Sequence, residues 1–203
     1  LRKRSFEFLV AAYGPAKMND PSQQEPIVNR MIELDPQDAT NYFALAKIRE
    51  DAGDYPAAEE VLQRAKTARP NDPQVYLQLA GFYNRQEEFD KTIEALNQRA
   101  AIEPNNPEAF YTISTYYWDK AYRDFRLKEP EKKEFVMKGI EQVDKALQLK
   151  PDYMEALTYK NLLLRLQANL EKDQAKQSAL LKEADKLRDQ ALDLQKKQAA
   201  GIK

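Results

Sequence analysis

Four aromatic residues carry the most distinctive chemistry in this sequence. Tyr111, Trp118, Tyr122 and Phe125 follow one another at steps of seven, four and three residues, which places them on one face of an α-helix. Trp118 is the only tryptophan in the chain. Exposed aromatic side chains of this kind anchor protein partners. Two interpretations stay open: this aromatic ridge binds a partner, or it packs beneath neighbouring helices as core.

The chain of 203 residues contains neither histidine nor cysteine. This composition excludes a disulfide, a thiolate nucleophile, a histidine base, a haem-ligating histidine and a zinc site of the usual kind. Only five glycines are present, so a glycine-rich phosphate loop is not expected, and no pair of acidic residues stands out as an acid–base couple. A metal site made only of carboxylates and an acid–base site made of carboxylates, Lys or Tyr stay open as alternatives, but we expect no enzyme activity, no cofactor and no metal.

Composition and charge limit the possible partners. Hydrophobic residues make up 42% of the chain and charged residues 32%, which is enough apolar material for a core. The 32 Lys and Arg residues are balanced by 33 Asp and Glu residues, so the basic excess of a nucleic-acid-binding surface is missing. No apolar run approaches the roughly 20 residues that span a bilayer. We expect no nucleic-acid partner and no direct membrane span.

An internal repeat organises the chain. Pro36, Pro70 and Pro104 are spaced by 34 residues, and Pro151 follows 47 residues later. Other positions recur in step with these prolines, including an aromatic residue at 42, 76 and 110 and a small residue at 46, 80 and 114. Within each unit the apolar residues are three and four apart, which predicts amphipathic helices. Each unit therefore reads as two antiparallel helices.

This 34-residue pattern of an aromatic residue, Leu-Ala, Ala-x3-Leu-x2-Ala and a closing proline resembles the tetratricopeptide repeat (TPR). The resemblance covers roughly residues 5–196. It implies an all-α fold, a right-handed superhelical solenoid of antiparallel helix pairs. It also implies that the concave face binds a peptide or the surface of a partner protein.

The resemblance further implies that first-helix residues line this concave face. Together with the aromatic ridge they form the predicted partner-binding set: Phe43, Lys47, Leu77, Asn84, Tyr111, Trp118, Tyr122, Phe125 and Arg165. In the family's best-known ligand mode, Lys and Asn on successive first helices clamp an acidic C-terminal tail. Phe43 and Lys47 stand where that clamp has its Lys and Asn, so an acidic tail is not the expected ligand.

The repeat divides the chain into five segments. Residues 1–36 form an imperfect N-terminal helix pair that acts as a cap, with Gly14-Pro15 ending its first helix early. Residues 37–70 and 71–104 are regular TPR-like repeats. Residues 105–151 are an extended repeat with a 13-residue insertion, which we expect to lengthen both helices. Residues 152–203 form an extended C-terminal helix pair with a capping helix.

The last helix carries one apolar stripe at alternating steps of four and three: Leu180, Ala184, Leu187, Ala191 and Leu194. This stripe either packs on the preceding helix or forms a coiled coil with another chain.

These observations favour a non-catalytic scaffold or accessory subunit of a larger complex, which binds a protein or peptide through the concave groove and the aromatic ridge. The alternative is a helper domain of a larger enzyme, or of a secretion or assembly component, whose activity lies in a missing upstream region. The sequence begins at Leu1 rather than Met and is Gln-rich and Cys-free. These features favour the bacterial cell envelope or periplasm over the cytoplasm, with possible association with a membrane-associated complex.

Overall fold

The computed structural model describes residues 2–14, 16–18 and 20–201. Within these residues the chain forms ten α-helices and no β-strand. The helices are α1 (Arg2–Tyr13), α2 (Pro21–Leu34), α3 (Ala39–Asp51), α4 (Tyr55–Ala68), α5 (Pro73–Arg85), α6 (Phe89–Ile102), α7 (Pro107–Arg123), α8 (Glu129–Leu149), α9 (Met154–Asn169) and α10 (Gln174–Ala199). The all-α fold predicted from the repeat is confirmed.

The chain divides into two compact units, Leu1–Ile102 and Glu103–Lys203. The first unit contains α1–α6 and the second contains α7–α10. In both units, consecutive helices joined by short turns pack as pairs: α1 with α2, α3 with α4, α5 with α6, α7 with α8, and α9 with α10. Helix α1 ends at Tyr13, just before Gly14, while the predicted helix breaker Pro15 lies outside the described residues.

The repeated phrase that surrounds each closing proline also starts the next helix. The side chains of Asp38, Asp72 and Asn106 cap α3, α5 and α7 by accepting a hydrogen bond from the backbone N–H two residues on, at 3.1, 3.0 and 3.0 Å. Pro73 and Pro107 follow as the first helical residues. Proline suits this position because its missing N–H would have no intrahelical partner there.

Small residues set the spacing between helices. Ala58 and Ala65 of α4 are fully buried. Gly139 of α8 lies so close to its neighbours that a Cβ atom would sit 2.8 Å from Leu163 Cδ2 and 3.2 Å from Tyr117 Cβ. This contact draws α8 tightly against α7 and α9, and it fixes the helices that carry the candidate site.

The extra residues of the third repeat lie mostly in helix. Helix α7 has 17 residues and α8 has 21, compared with 13 in α5 and 14 in α6. These differences correspond to about one additional turn in α7 and about two in α8.

The apolar stripe of α10 is covered inside the second unit. Ala184, Leu187 and Ala191 are buried against Leu157 and Leu164 of α9. The two ends of the stripe pack partly against the same cluster. The coiled-coil interpretation is therefore wrong, because α9 already occupies the stripe.

Candidate functional site

Five aromatic rings form a continuous series across the contact between α7 and α9, which we call the aromatic ladder. In order, its members are Tyr153, Tyr111, Tyr159, Trp118 and Tyr122, with successive ring centroids 5.2, 5.4, 5.6 and 5.0 Å apart. The first three contacts are tilted or edge-on, whereas Trp118 and Tyr122 are stacked with their planes 10° apart. These separations lie within the range at which aromatic pairs attract, so the rings hold one another in place.

The two helices contribute different parts of the ladder. Tyr111, Trp118 and Tyr122 come from α7, and Tyr159 comes from α9. Tyr153 immediately precedes α9. Since α7 also packs on α8 and α9, its backbone is held on two sides. Four of the five rings are thus carried by helices that pack against each other, and the fifth lies at the start of α9.

Four rings of the ladder are half-buried, and the last one, Tyr122, is exposed. Tyr111 and Trp118 pack against the buried core that α7, α8 and α9 share. Tyr153 and Tyr159 are also half-buried, whereas Tyr122 is 60% exposed. The aromatic ridge therefore combines both interpretations given by the sequence. Tyr111 and Trp118 pack partly against the core, and the ridge also presents accessible aromatic surface, most of all at Tyr122.

A cleft of about 340 Å³ adjoins the ladder between α7, α9 and α10. Its walls include the rings of Tyr111 and Tyr159, the aliphatic Leu192, and the polar residues Glu155, Asn161 and Arg188. This volume is at the small end of the range for ligand pockets, and it suits one or two side chains of a larger ligand.

Four of the five ladder residues have polar atoms that form no hydrogen bond with the described residues. Within the described part of the chain, the hydroxyls of Tyr111, Tyr122 and Tyr159 and the indole N–H of Trp118 make no hydrogen bond. Burial and the neighbouring tyrosines raise the pKa of Tyr111 to about 12. Its phenol therefore keeps its proton at neutral pH and is available as a donor.

Asn161 adds a polar group inside the cleft. The residue is 7% exposed, and its Oδ1 accepts a hydrogen bond of 2.9 Å from Nε of Arg165. Arg165 also donates to Asp185 at 2.6 Å. The predicted binding residue Arg165 thus joins α9 to α10 and orients the amide of Asn161, while the cleft itself is lined by Asn161.

The two arginines beside the cleft are already paired, whereas Lys150 lies with its Nζ 4.8 Å from the centre of the Tyr153 ring at one end of the ladder. Arg188 lies 3.1 Å from Asp185 and 2.9 Å from Asp189, and Arg165 pairs with the same Asp185. Glu155, by contrast, is exposed and forms no ion pair within the described residues. The cleft therefore has no surplus positive charge and one free carboxylate.

The remaining predicted binding residues of the regular repeats lie in the first unit. Phe43 is half-buried and lines a polar cleft of about 670 Å³ beside the turns before α3 and α5. Lys47 is exposed and pairs with Asp51 on its own helix. Leu77 is half-buried and Asn84 is exposed on α5. The part of these four residues in binding stays a prediction.

Phe125 does not belong to the ladder, and the prediction that it shares the helical face is wrong. Helix α7 ends at Arg123, so Phe125 lies in the following turn and is 90% exposed. The carboxylate of Asp124 accepts hydrogen bonds from Lys120, the Arg126 side chain and the Arg126 backbone N–H at 2.9, 2.9 and 3.0 Å. These bonds hold the pKa of Asp124 well below its usual range, and they fix the extended backbone that ends the helix.

Sequence reasoning missed two members of the ladder, Tyr153 and Tyr159. Both follow Pro151 and belong to the next helix pair. The sequence does contain a clue to both residues. Tyr159 lies on the first helix of the next repeat and Tyr153 immediately before it, and the first helices of successive repeats are neighbours in this fold. Comparing aromatic positions between those helices would have found them.

Among the described residues, no group of acidic side chains is arranged to hold a metal ion. No helix in that part of the chain is both long and apolar enough to cross a membrane.

A protein made of successive helix pairs at a 34-residue period is a helical-repeat protein. The tetratricopeptide repeat family model matches residues 17–77 and 50–114. Residues 17–114 of this chain therefore match the tetratricopeptide repeat family, as the repeat pattern predicts.

Solved structures share this fold over most of the chain. A crystal structure of MamA is 20% identical over 90% of this chain and 93% of its own, with a TM-score of 0.58. MamA residues 41-end from Desulfovibrio magneticus RS-1 are 15% identical over 96% of both chains, with a TM-score of 0.57. YrrB, described as a TPR protein with an unusual peptide-binding site, is 15% identical over 88% of this chain and 85% of its own, with a TM-score of 0.53. No curated protein matches the sequence significantly.

Proposed function

We propose that this protein is a non-catalytic scaffold or accessory subunit that binds a partner protein or peptide through the aromatic ladder and its adjoining cleft. Tyr111, Trp118 and Tyr122 make the contacts, and Arg165 positions the amide of Asn161. The first-unit residues Phe43, Lys47, Leu77 and Asn84 form a second proposed contact region.

One observation carries this proposal: the ladder joins accessible aromatic faces to hydrogen-bonding groups that the fold leaves unused. Trp and Tyr dominate binding energy at protein interfaces because they combine a large apolar area with a polar end and few rotatable bonds.

The chemistry of the site supports binding rather than catalysis. The phenol with the perturbed pKa, Tyr111, is shifted upwards to about 12, which makes it a poor general base at neutral pH. The free carboxylate of Glu155 disfavours a phosphate backbone as ligand. The peptide-binding site described for YrrB is in keeping with a peptide or protein ligand in this fold.

A capture experiment with matched variants tests the proposal. The purified chain, Tyr122→Ala and Tyr55→Ala are immobilised and exposed to a lysate of the source organism, and captured proteins are quantified by mass spectrometry. Tyr122 and Tyr55 are tyrosines that are 60% and 46% exposed, and Tyr55 lies in the first unit, so it is the control. We expect Tyr122→Ala to lower capture of the partner at least tenfold, since an anchor contributes about 2 kcal/mol.

The melting temperature of each variant is measured in parallel. Tyr122→Ala should melt close to the wild type because the side chain is mostly exposed. Equal capture by wild type and Tyr122→Ala, with Tyr55→Ala also unchanged, would contradict binding through the ladder.

A further inference from the structure

The ladder presents hydrogen-bond donors beside flat apolar surfaces. The hydroxyls of Tyr111, Tyr159 and Tyr122 and the indole N–H of Trp118 are unbonded within the described residues, and Asn161 contributes amide donors inside the cleft. The complementary ligand has many exposed acceptors, few donors of its own and rigid apolar rings. A proline-containing segment has these properties, because proline lacks a backbone N–H while its carbonyl stays exposed.

The charges of the cleft argue against an acidic ligand. Capture of an acidic tail requires free cations, but Arg165 and Arg188 are bound to Asp185 and Asp189. The unpaired carboxylate of Glu155 would repel an acidic ligand and attract a basic one. A Lys or Arg beside the prolines satisfies this carboxylate.

The shape of the site argues against an amphipathic helix as ligand. Such a helix is about 10 Å wide and inserts a row of aliphatic side chains into a long groove. The cleft here has a volume of about 340 Å³, and its walls combine two aromatic rings, Tyr111 and Tyr159, with shorter aliphatic and polar side chains. An extended chain, which offers one side chain at a time, fits a short cleft that continues into exposed rings.

The spacing of the rings along α7 matches one turn of an extended proline helix. Tyr111 and Trp118 are seven residues apart, or about 10 Å along the helix axis. Polyproline II has three residues per turn and rises about 9 Å over them. Prolines at positions i and i+3 of a ligand can therefore pack on Tyr111 and Trp118, which lie on either side of Tyr159 in the ladder.

Resting on the proposed function above, the further inference concerns the class of ligand. We propose that the aromatic ladder and its cleft bind a proline-containing segment in the polyproline II conformation, with a Lys or Arg adjacent to the prolines. One proline ring packs on Tyr111 and the next on the stacked pair of Trp118 and Tyr122, and the unbonded donors of the ladder bond the ligand carbonyls. Because this conformation is already populated in the free peptide, ordering it costs little entropy.

The fluorescence of Trp118 can report ligand binding at the ladder, because Trp118 is the only tryptophan in the chain and belongs to the ladder. Four synthetic twelve-residue peptides are titrated into the whole chain: one with two Pro-x-x-Pro motifs and a flanking Arg, the same peptide with the Arg replaced by Gln, a version with Ala for every Pro, and an acidic peptide. Trp118 fluorescence and calorimetry report binding. We expect the basic proline peptide to bind with a Kd below about 1 mM and the alanine version to bind at least tenfold more weakly.

Two variants test the assigned contacts without removing rings. Tyr111→Phe combined with Tyr159→Phe deletes two donors, and we expect it to weaken the basic proline peptide about tenfold; Tyr55→Phe in the first unit is the control. Glu155→Gln should weaken the basic peptide about threefold and leave its Gln-flanked version unchanged.

Three results would overturn the inference: no binding of the basic proline peptide below 1 mM by either readout, binding of the alanine version or the acidic peptide as tight as that of the proline peptide, or an unchanged affinity in the Tyr111→Phe/Tyr159→Phe variant. None of these depends on the natural partner. If capture of that partner still required Tyr122 while the proline peptide failed to bind, the proposed function would stand and the ligand class would be wrong.

Discussion

Three buried tyrosines of the first unit and two half-buried tyrosines of the second unit use their hydroxyls differently. In the first unit, Tyr42 and Tyr76 donate to the carbonyl oxygens of Pro36 and Pro70 at 3.1 and 2.7 Å. Tyr83 donates to Glu59 at 2.8 Å and accepts from Gln63 at 3.0 Å. In the second unit, the hydroxyls of Tyr111 and Tyr159 form no hydrogen bond with described residues.

The repeat explains the contrast. At the position of Tyr42 and Tyr76, the second unit has Phe110, which packs against the core without a hydroxyl to bond. Tyr111 and Tyr159 occupy other positions, where α7 and α9 meet. The buried tyrosines of the first unit therefore support the fold through their hydroxyls, whereas Tyr111 and Tyr159 contribute only their rings to it.

The largest expected difference between the buried tyrosines of the first unit and the ladder tyrosines is the loss of folding stability when a ring is removed. Tyr76 is 6% exposed and has a bonded hydroxyl, so Tyr76→Ala should lower the free energy of unfolding by about 3–5 kcal/mol. Tyr122 is 60% exposed, so Tyr122→Ala should cost less than about 1 kcal/mol, mainly lost stacking on Trp118. Urea denaturation of both variants, followed by circular dichroism, measures the difference.

A similar cost for both variants would contradict this comparison. If Tyr122→Ala lost as much stability as Tyr76→Ala, the ladder would be a structural element and its exposure would have no bearing on binding.

The fold can be predicted well from the sequence because the same pattern of residues recurs in successive repeats. The caps formed by Asp38, Asp72 and Asn106 and the buried Ala58 and Ala65 all follow from that pattern. The site is harder to predict because it depends on contacts between repeats. Helical phase along one helix correctly groups Tyr111, Trp118 and Tyr122, but it carries no information on which rings of the next helix meet them.

Phe125 shows a second limit of helical phase. Its spacing fits the stripe, but phase assumes that the helix continues. The bonds of Asp124 to Lys120 and Arg126 are local polar interactions that end the helix first. When an aspartate lies between basic residues near the end of a proposed helix, it can indicate that the helix ends there even though the apolar periodicity continues.

A smaller effect is expected when only a hydroxyl is removed. Tyr83→Phe breaks the bond to Glu59 and should lower the free energy of unfolding by about 1 kcal/mol. Tyr159→Phe breaks no hydrogen bond within the described residues and should change it by less than about 0.5 kcal/mol. Denaturant midpoints of the two variants provide the measurement. A loss of stability in Tyr159→Phe that matches Tyr83→Phe would show that its hydroxyl is bonded in the folded chain.

The smallest expected effect concerns Tyr83 and Tyr111. Burial is the main cause of the raised pKa of both tyrosines, but the neighbouring groups that raise it further are different. Burial, followed by Glu59, raises the pKa of Tyr83 to about 12. Burial, followed by Tyr159, Tyr153 and Glu155, raises that of Tyr111 to about 12. Glu59→Gln removes a negative charge beside Tyr83, so the pKa of Tyr83 should fall part of the way towards its ordinary value near 10. The pKa of Tyr111 should stay the same, because its causes are untouched.

Proton linkage gives the direction of the stability change. A tyrosine with a raised pKa holds its proton more tightly in the folded state, so its contribution to stability is fully present below about pH 10. The contribution is lost as the pH rises from about 10 towards 12, where the unfolded chain has already released the proton. NMR titration of ring-labelled tyrosine, with Tyr83→Phe used for assignment, follows both groups. An unchanged pKa of Tyr83 in Glu59→Gln would mean that burial alone sets it, as it predominantly does for Tyr111.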